Sequence, residues 1–186
     1  MPDEGFTELA GPRVAVRRFH PGDVAGFVAY RWSVPVARFQ GWDAPFPRGG
    51  GRALCPGAGD RASRYARGMV RFAVALRPDG QLTGDCAAMP QAGDSGQCEI
   101  GFTIAPGVSG ARVRHRGGAV AAGLLVHHAG QAPGHRLLRP AECASVALLE
   151  RLGMRREGHL RQSTWAKGEW TDDLVYALLH DEWQSG

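Results

Sequence analysis

Apolar positions recur along this chain in two rhythms, and their order predicts a mixed α/β architecture. Val14-Ala15-Val16-Arg17-Arg18-Phe19 alternates loosely and reads as a first or edge strand. Pro21-Gly22-Asp23 then opens a helix, with Asp23 near its positive end, that runs through Phe27 and Tyr30 to about Ser33. Strand signals follow at 70–76, 82–89 and 97–104, separated by the turns Pro78-Asp79-Gly80 and Ala92-Gly93-Asp94, which predicts an antiparallel meander. Beyond it a helix is expected over about 118–129 and a short extended piece around Leu137-Leu138. A second helix over 144–152 is closed by Gly153. Two last strands, about 156–164 and 174–178, turn at Lys167-Gly168. Residues 48–68 are poorly patterned, and Gly41-Trp42-Asp43-Ala44-Pro45-Phe46-Pro47 is an aromatic loop stiffened by proline. The order predicts one α/β (α+β) domain over 1–186, with a mixed sheet and helices on both faces.

Composition changes this picture in one place. Hydrophobic residues at 44% and charged residues at 22% are ordinary for a soluble globular protein. The acidic, polar start Met1-Pro2-Asp3-Glu4-Gly5 does not read as a signal peptide, no apolar run has the roughly 20 residues of a membrane span, and the cytoplasm is the expected location. Glycine and proline are the anomaly: 27 and 12 residues, about a fifth of the chain, against roughly 12% in average usage. They crowd into 48–59, 107–118 and 130–140.

The net charge of +4 raises the question of a nucleic-acid partner. Lys167 is the sole lysine and the arginines are scattered, which reads as GC-rich coding and not as a phosphate-tracking stripe, so no nucleic acid is expected. Cys55, Cys86, Cys98 and Cys143 show no CxxC pairing and read as free buried thiols. His127, His128, His135 and Cys143 cluster in sequence, but adjacent histidines on a helix point about 100° apart and no second pair frames them. No metal is expected.

Three motifs then carry a resemblance. Ala144-Ser145-Val146-Ala147-Leu148-Leu149-Glu150-Arg151-Leu152-Gly153-Met154 resembles the second-helix signature of GNAT-fold N-acetyltransferases. Glu99-Ile100-Gly101-Phe102-Thr103-Ile104-Ala105-Pro106 is similar to their central strand. Lys167-Gly168-Glu169-Trp170-Thr171-Asp172 followed by Val175-Tyr176-Ala177-Leu178 is similar to the last hairpin of the RimJ/RimL (ribosomal-protein N-terminal acetyltransferase-like) branch. The resemblance runs in order from Val14 to Trp183. It implies a central sheet of six to seven strands splayed at the centre, acetyl-CoA as co-substrate in the cleft, and acetyl transfer to a primary amine. A protein N-terminus and a small-molecule amine both fit the acceptor, and a homodimer is among the assemblies allowed.

In such a fold a strand, a Gly-rich loop and a helix cradle a diphosphate, because the helix offers its orphan N–H groups and positive dipole to the anion. The resemblance therefore assigns cofactor contacts to Phe102, Thr103, Ile104, Ser109, Gly110, Ala111, Arg112, Arg114 and Gly117. Glu99, on the central strand, is the candidate base through a water, with a surface ion pair as the alternative. Ser145 is the candidate hydroxyl near the CoA sulfur, with a helix cap as the alternative. Trp42, Trp165 and Trp170 are candidates for the acceptor mouth, although packing alone accounts for each.

The loop departs from the family pattern Gln/Arg-x-x-Gly-x-Gly/Ala. Those places hold Ser109, Arg112 and Arg114, and an arginine obstructs the close backbone approach that a pyrophosphate needs. Impaired activity, or a GNAT-fold protein serving as an interaction module, is the expectation that follows. Codons open to residues 109–118, read one base later, spell Gln-Ala-Arg-Gly-Tyr-Ala-Thr-Glu-Ala, a family-like loop; residues 138–144 shifted alike give Cys-Asp-Pro-Leu-Asn-Ala. Local frame shifts relative to an ancestor are the reading this suggests.

Overall fold

The computed structural model describes residues 8–38, 40–44, 69–90, 98–106, 134–138, 143–179 and 181–182. Among them are eight strands: β1 (Glu8–Ala10), β2 (Val14–Arg17), β3 (Val70–Leu76), β4 (Leu82–Pro90), β5 (Cys98–Ile104), β6 (Gly134–Leu138), β7 (Arg155–Ala166) and β8 (Glu169–Leu178). Three helices accompany them: α1 (Asp23–Arg31), α2 (Val34–Ala37) and α3 (Cys143–Arg151). The strands form one sheet in the order β1-β2-β3-β4-β5-β6-β8-β7. The sheet is mostly antiparallel, with β5 and β6 paired parallel.

Eight described strands sit close to the expected count of about six to seven. The addition is β1, which pairs antiparallel with β2 after a turn closed by the Gly11 N–H on the Val14 carbonyl at 2.8 Å. With three residues and only Leu9 packed against the core, β1 is too short for its alternation to register in the sequence. The first strand also stops at Arg17, two residues early, because Phe19 leaves the sheet to pack on α1. The expected helix over 118–129 and the segment 48–68 lie outside the described residues.

Alternation along β3, β4 and β5 sorts side chains onto two faces. Phe72, Val74, Cys86, Ala88, Ile100 and Phe102 join Leu148 and Leu149 of α3 and Leu174, Tyr176 and Leu178 of β8 in the larger core. Ala73 joins Phe19, Phe27 and Tyr30 in a smaller cluster beneath α1. Each large side chain so buried contributes roughly 1.5–3 kcal/mol, so the two clusters pin α1 and α3 to opposite faces.

The last hairpin is longer than its apolar pattern. Lys167 (φ 53) and Gly168 (φ 86) both take positive φ, as a two-residue turn matched to strand twist requires. Pairing then runs from Ala166↔Glu169 and Trp165↔Trp170 inward. Glu169, Thr171, Asp172 and Asp173 are polar and hide this stretch from a periodicity reading, since the hairpin tip is exposed on both faces. Between Leu160 and Thr164 β7 carries extra residues, and β8 holds the bulge: Asp172 accepts from the Gln162 N–H at 2.9 Å, and Asp173 accepts from the Thr164 hydroxyl at 2.6 Å.

Candidate active site

One pair of neighbouring strands in the sheet is parallel, and it parts almost at once. β5 and β6 register only at Cys98↔Gly134 and Glu99↔His135, while β4 keeps pairing with β5 to Ile104. From Glu99 onward two parallel strands diverge, and a gap opens at the sheet centre. Glu99 stands at the point of parting.

On the α1 face, beside that gap, is a cleft of about 450 Å³. Small residues make its floor: Ala87 of β4 and Gly101 of β5, which are register partners. Arg71 of β3, Glu99 and Thr103 of β5, and Trp42 from the loop after α2 stand around it.

A buried polar cluster supports the Trp42 side. Asp85 of β4 is fully buried and accepts hydrogen bonds from the Tyr30 hydroxyl and from Arg71 Nη1. Arg31 Nη2 reaches both Asp85 oxygens at 3.4 Å. Burial, reinforced by the Asp85 carboxylate, pushes the Tyr30 hydroxyl far above its ordinary range, so it stays a donor. The Arg31 guanidinium lies between two rings, 4.4 Å from the Phe27 centroid and 3.9 Å from that of Trp42. From the far hairpin, Lys167 Nζ donates to the Trp42 carbonyl at 2.7 Å and to Asp43 Oδ1 at 2.9 Å. The Trp42 loop is thus tied to α1, to β4 through Arg31, and to the β7–β8 turn.

The sequence-derived candidates fall as follows. Trp42, Glu99, Phe102 and Thr103 come together at the cleft, and Ile104 ends the same strand, half-buried. Ser145 sits half-buried in the first turn of α3, outside the residues that line the cleft. Trp165 and Trp170 form an edge-to-face pair, centroids 5.5 Å apart, at the exposed hairpin tip and not in the cleft lining. Ser109, Gly110, Ala111, Arg112, Arg114 and Gly117 lie outside the described residues, as do His127 and His128. Tyr30, Arg31, Arg71 and Asp85 escaped sequence reading. The available signal was a charge inside an apolar strand run: Arg71 in Val70–Leu76 and Asp85 in Leu82–Pro90.

Among the described residues no group of His, Cys, Asp or Glu is placed to hold a metal, and no helix is long and apolar enough to cross a membrane. The decisive comparison is with protein families: a model of the acetyltransferase (GNAT) domain matches residues 13–155.

The chain belongs to the GNAT acetyltransferase family. Over 52 residues this GNAT protein is 35% identical to YnaD, an uncharacterized N-acetyltransferase of Bacillus subtilis (strain 168); that stretch is 26% of this chain and spans only 31% of YnaD. Its fold is shared with an acetyltransferase (GNAT family) from Bacillus anthracis, at TM-score 0.79 and 20% identity, covering 95% of this chain and 100% of that one. It is likewise shared with spermidine N-acetyltransferase from Vibrio cholerae, solved with CoA and spermine, at TM-score 0.75 and 14% identity over 94% and 99% of the two chains. GNAT enzymes use acetyl-CoA as co-substrate.

Proposed function

We propose that this GNAT protein moves an acetyl group from acetyl-CoA to a primary amine by direct attack. The observation that carries the reading is the position of Glu99: it sits where β5 and β6 part and also lines the acceptor-side cleft. A pantetheine arm in the gap would bring its thioester beside the amine in the cleft. The amine nitrogen then adds to the thioester carbonyl carbon, its proton passes through a water to Glu99, and the C–S bond breaks. The departing thiolate takes a proton, for which Ser145 at the start of α3 is the candidate donor. Holding both reactants in one slot supplies much of the acceleration, and the base adds the rest.

The acceptor class extends from protein N-termini, which the RimJ/RimL-like hairpin suggests, to small amines, for which the spermidine enzyme of like fold is a precedent. A second reading rests on the loop: Arg112 and Arg114 stand where small residues admit a pyrophosphate, which favours a GNAT-fold interaction module with weak acetyl-CoA binding.

Glu99→Gln distinguishes them. The variant is expected to bind acetyl-CoA like the parent while kcat falls by about 10²–10⁴-fold. Thiol release that keeps its rate and its pH profile would remove Glu99 from the mechanism, and a parent protein without calorimetric acetyl-CoA binding would favour the module.

A further inference from the structure

Opposite charges face the same cleft from strands two apart. Arg71 of β3 and Glu99 of β5 line it, and Ala87 and Gly101 lie between them in register, Arg71↔Ala87↔Gly101. Side chains this small leave the space between the two charges open. Strands sit about 4.8 Å apart and advance about 3.4 Å per residue, which puts the two Cα atoms on the order of 12 Å apart. Both residues line the cleft, so a ligand lying across the Ala87–Gly101 floor would meet both.

Arg71 is held in place. Asp85 grips its Nη1, and its side chain is 15% exposed. Its Nη2 meets the Met69 sulfur at 3.6 Å, and a thioether is a weak acceptor. Met69 itself lines the cleft. A carboxylate entering beside it exchanges that contact for a charge-assisted bond in the forked geometry that only arginine offers.

We propose that Arg71 selects the acceptor, and that the acceptor is a compact amine bearing a carboxylate, of the amino-acid type. Glu99 takes the amine end and Arg71 the carboxylate end. A polyamine brings cations to both walls, and a plain alkylamine leaves the bond to Arg71 unmade. The fate of the amine rests on the acetyl-transfer reading above; the carboxylate site is a claim about binding.

The test compares leucine, norleucine and phenylalanine with their amides, with isoamylamine, pentylamine and phenethylamine, and with spermidine, as acceptors in a thiol-release assay. Each acid is expected to exceed its decarboxylated amine by about 10- to 100-fold in kcat/KM, the range of a charge-assisted hydrogen bond. Arg71→Lys keeps a cation for Asp85 but loses the fork, and is expected to shrink that preference below about fivefold. Amides used as well as acids would point to a peptide N-terminus and overturn the proposal. So would a preference for spermidine or the decarboxylated amines, or an acid preference that survives Arg71→Lys in a variant with a parent-like melting temperature. Calorimetry with the acids alone reads the site without chemistry. Acid binding that Arg71→Lys abolishes, with no thiol release from any amine, upholds this inference and sinks the transfer reading. Thiol release confined to amines without a carboxylate does the reverse, and absence of both acid binding and thiol release sinks the two together.

Discussion

The Arg31 guanidinium lies 3.9 Å from the centroid of the Trp42 ring, and the Trp42 indole N–H donates back to the Arg31 carbonyl at 3.2 Å. Side chain and main chain of one arginine therefore hold one tryptophan in two directions. Since Trp42 walls the cleft, α1 sets the position of that wall.

Trp42→Ala is expected to raise the acceptor KM by about 10-fold or more while the acetyl-CoA dissociation constant moves by less than about twofold. The stacked cation contributes about 0.5–2 kcal/mol to the order of that loop, and the gap between β5 and β6 is not built from it. Steady-state kinetics with each substrate varied decide the matter; equal losses for both ligands would make Trp42 a packing residue.

Asp85→Asn should be the most damaging single change in the described structure. It leaves the buried guanidinium groups of Arg31 and Arg71 without the carboxylate they share. Removing one partner of a buried pair costs about 3–5 kcal/mol. Tyr30→Phe deletes one neutral donor to the same carboxylate and should cost about 1–3 kcal/mol. Urea denaturation measures both, and an Asp85→Asn loss smaller than that of Tyr30→Phe would contradict this account of the cluster.

The Arg17–Asp23 pair predicts a pH dependence. Burial raises the Asp23 carboxyl, but the Arg17 guanidinium and the His20 N–H more than reverse this and leave it below its ordinary value. A carboxylate with a lowered folded pKa contributes stability that is fully present above the unfolded value of about 3.9 and is lost as pH falls through the folded one. The stability difference between the parent and Asp23→Asn should therefore shrink between about pH 5 and pH 2. A difference that stays constant over that range would show that the pair does not titrate this way.

For the loop, Ser109→Gln with Arg112→Gly and Arg114→Ala should tighten acetyl-CoA binding despite deleting two positive charges. Two recovered backbone N–H bonds to a charged oxygen, at roughly 1.5–3 kcal/mol each, outweigh two solvated charges at about 1 kcal/mol or less apiece. Dissociation constants at two salt concentrations separate this from a side-chain clamp. A weaker complex with a flatter salt response would mean that the arginines hold the phosphates themselves.

Sequence by itself determined the chain order of the described strands from β2 onward, the two longer helices and the family. The period-2 runs at Val70–Leu76, Leu82–Pro90 and Cys98–Ile104 and the Gly153 stop after α3 are local signals, each written within a dozen residues. The family resemblance also put forward Glu99 and Trp42, and both line the same cleft. Only tertiary structure decided which charges share a site. Tyr30 and Asp85 are 55 positions apart, Arg71 meets Asp85 across a strand pair, and Lys167 reaches Trp42 across 125 positions. Nothing local at any of these residues encodes the meeting; sheet register and the packing of α1 bring them together. The parting of β5 from β6 is of the same kind. It depends on where pairing between two distant segments stops, and periodicity along either strand does not register that point.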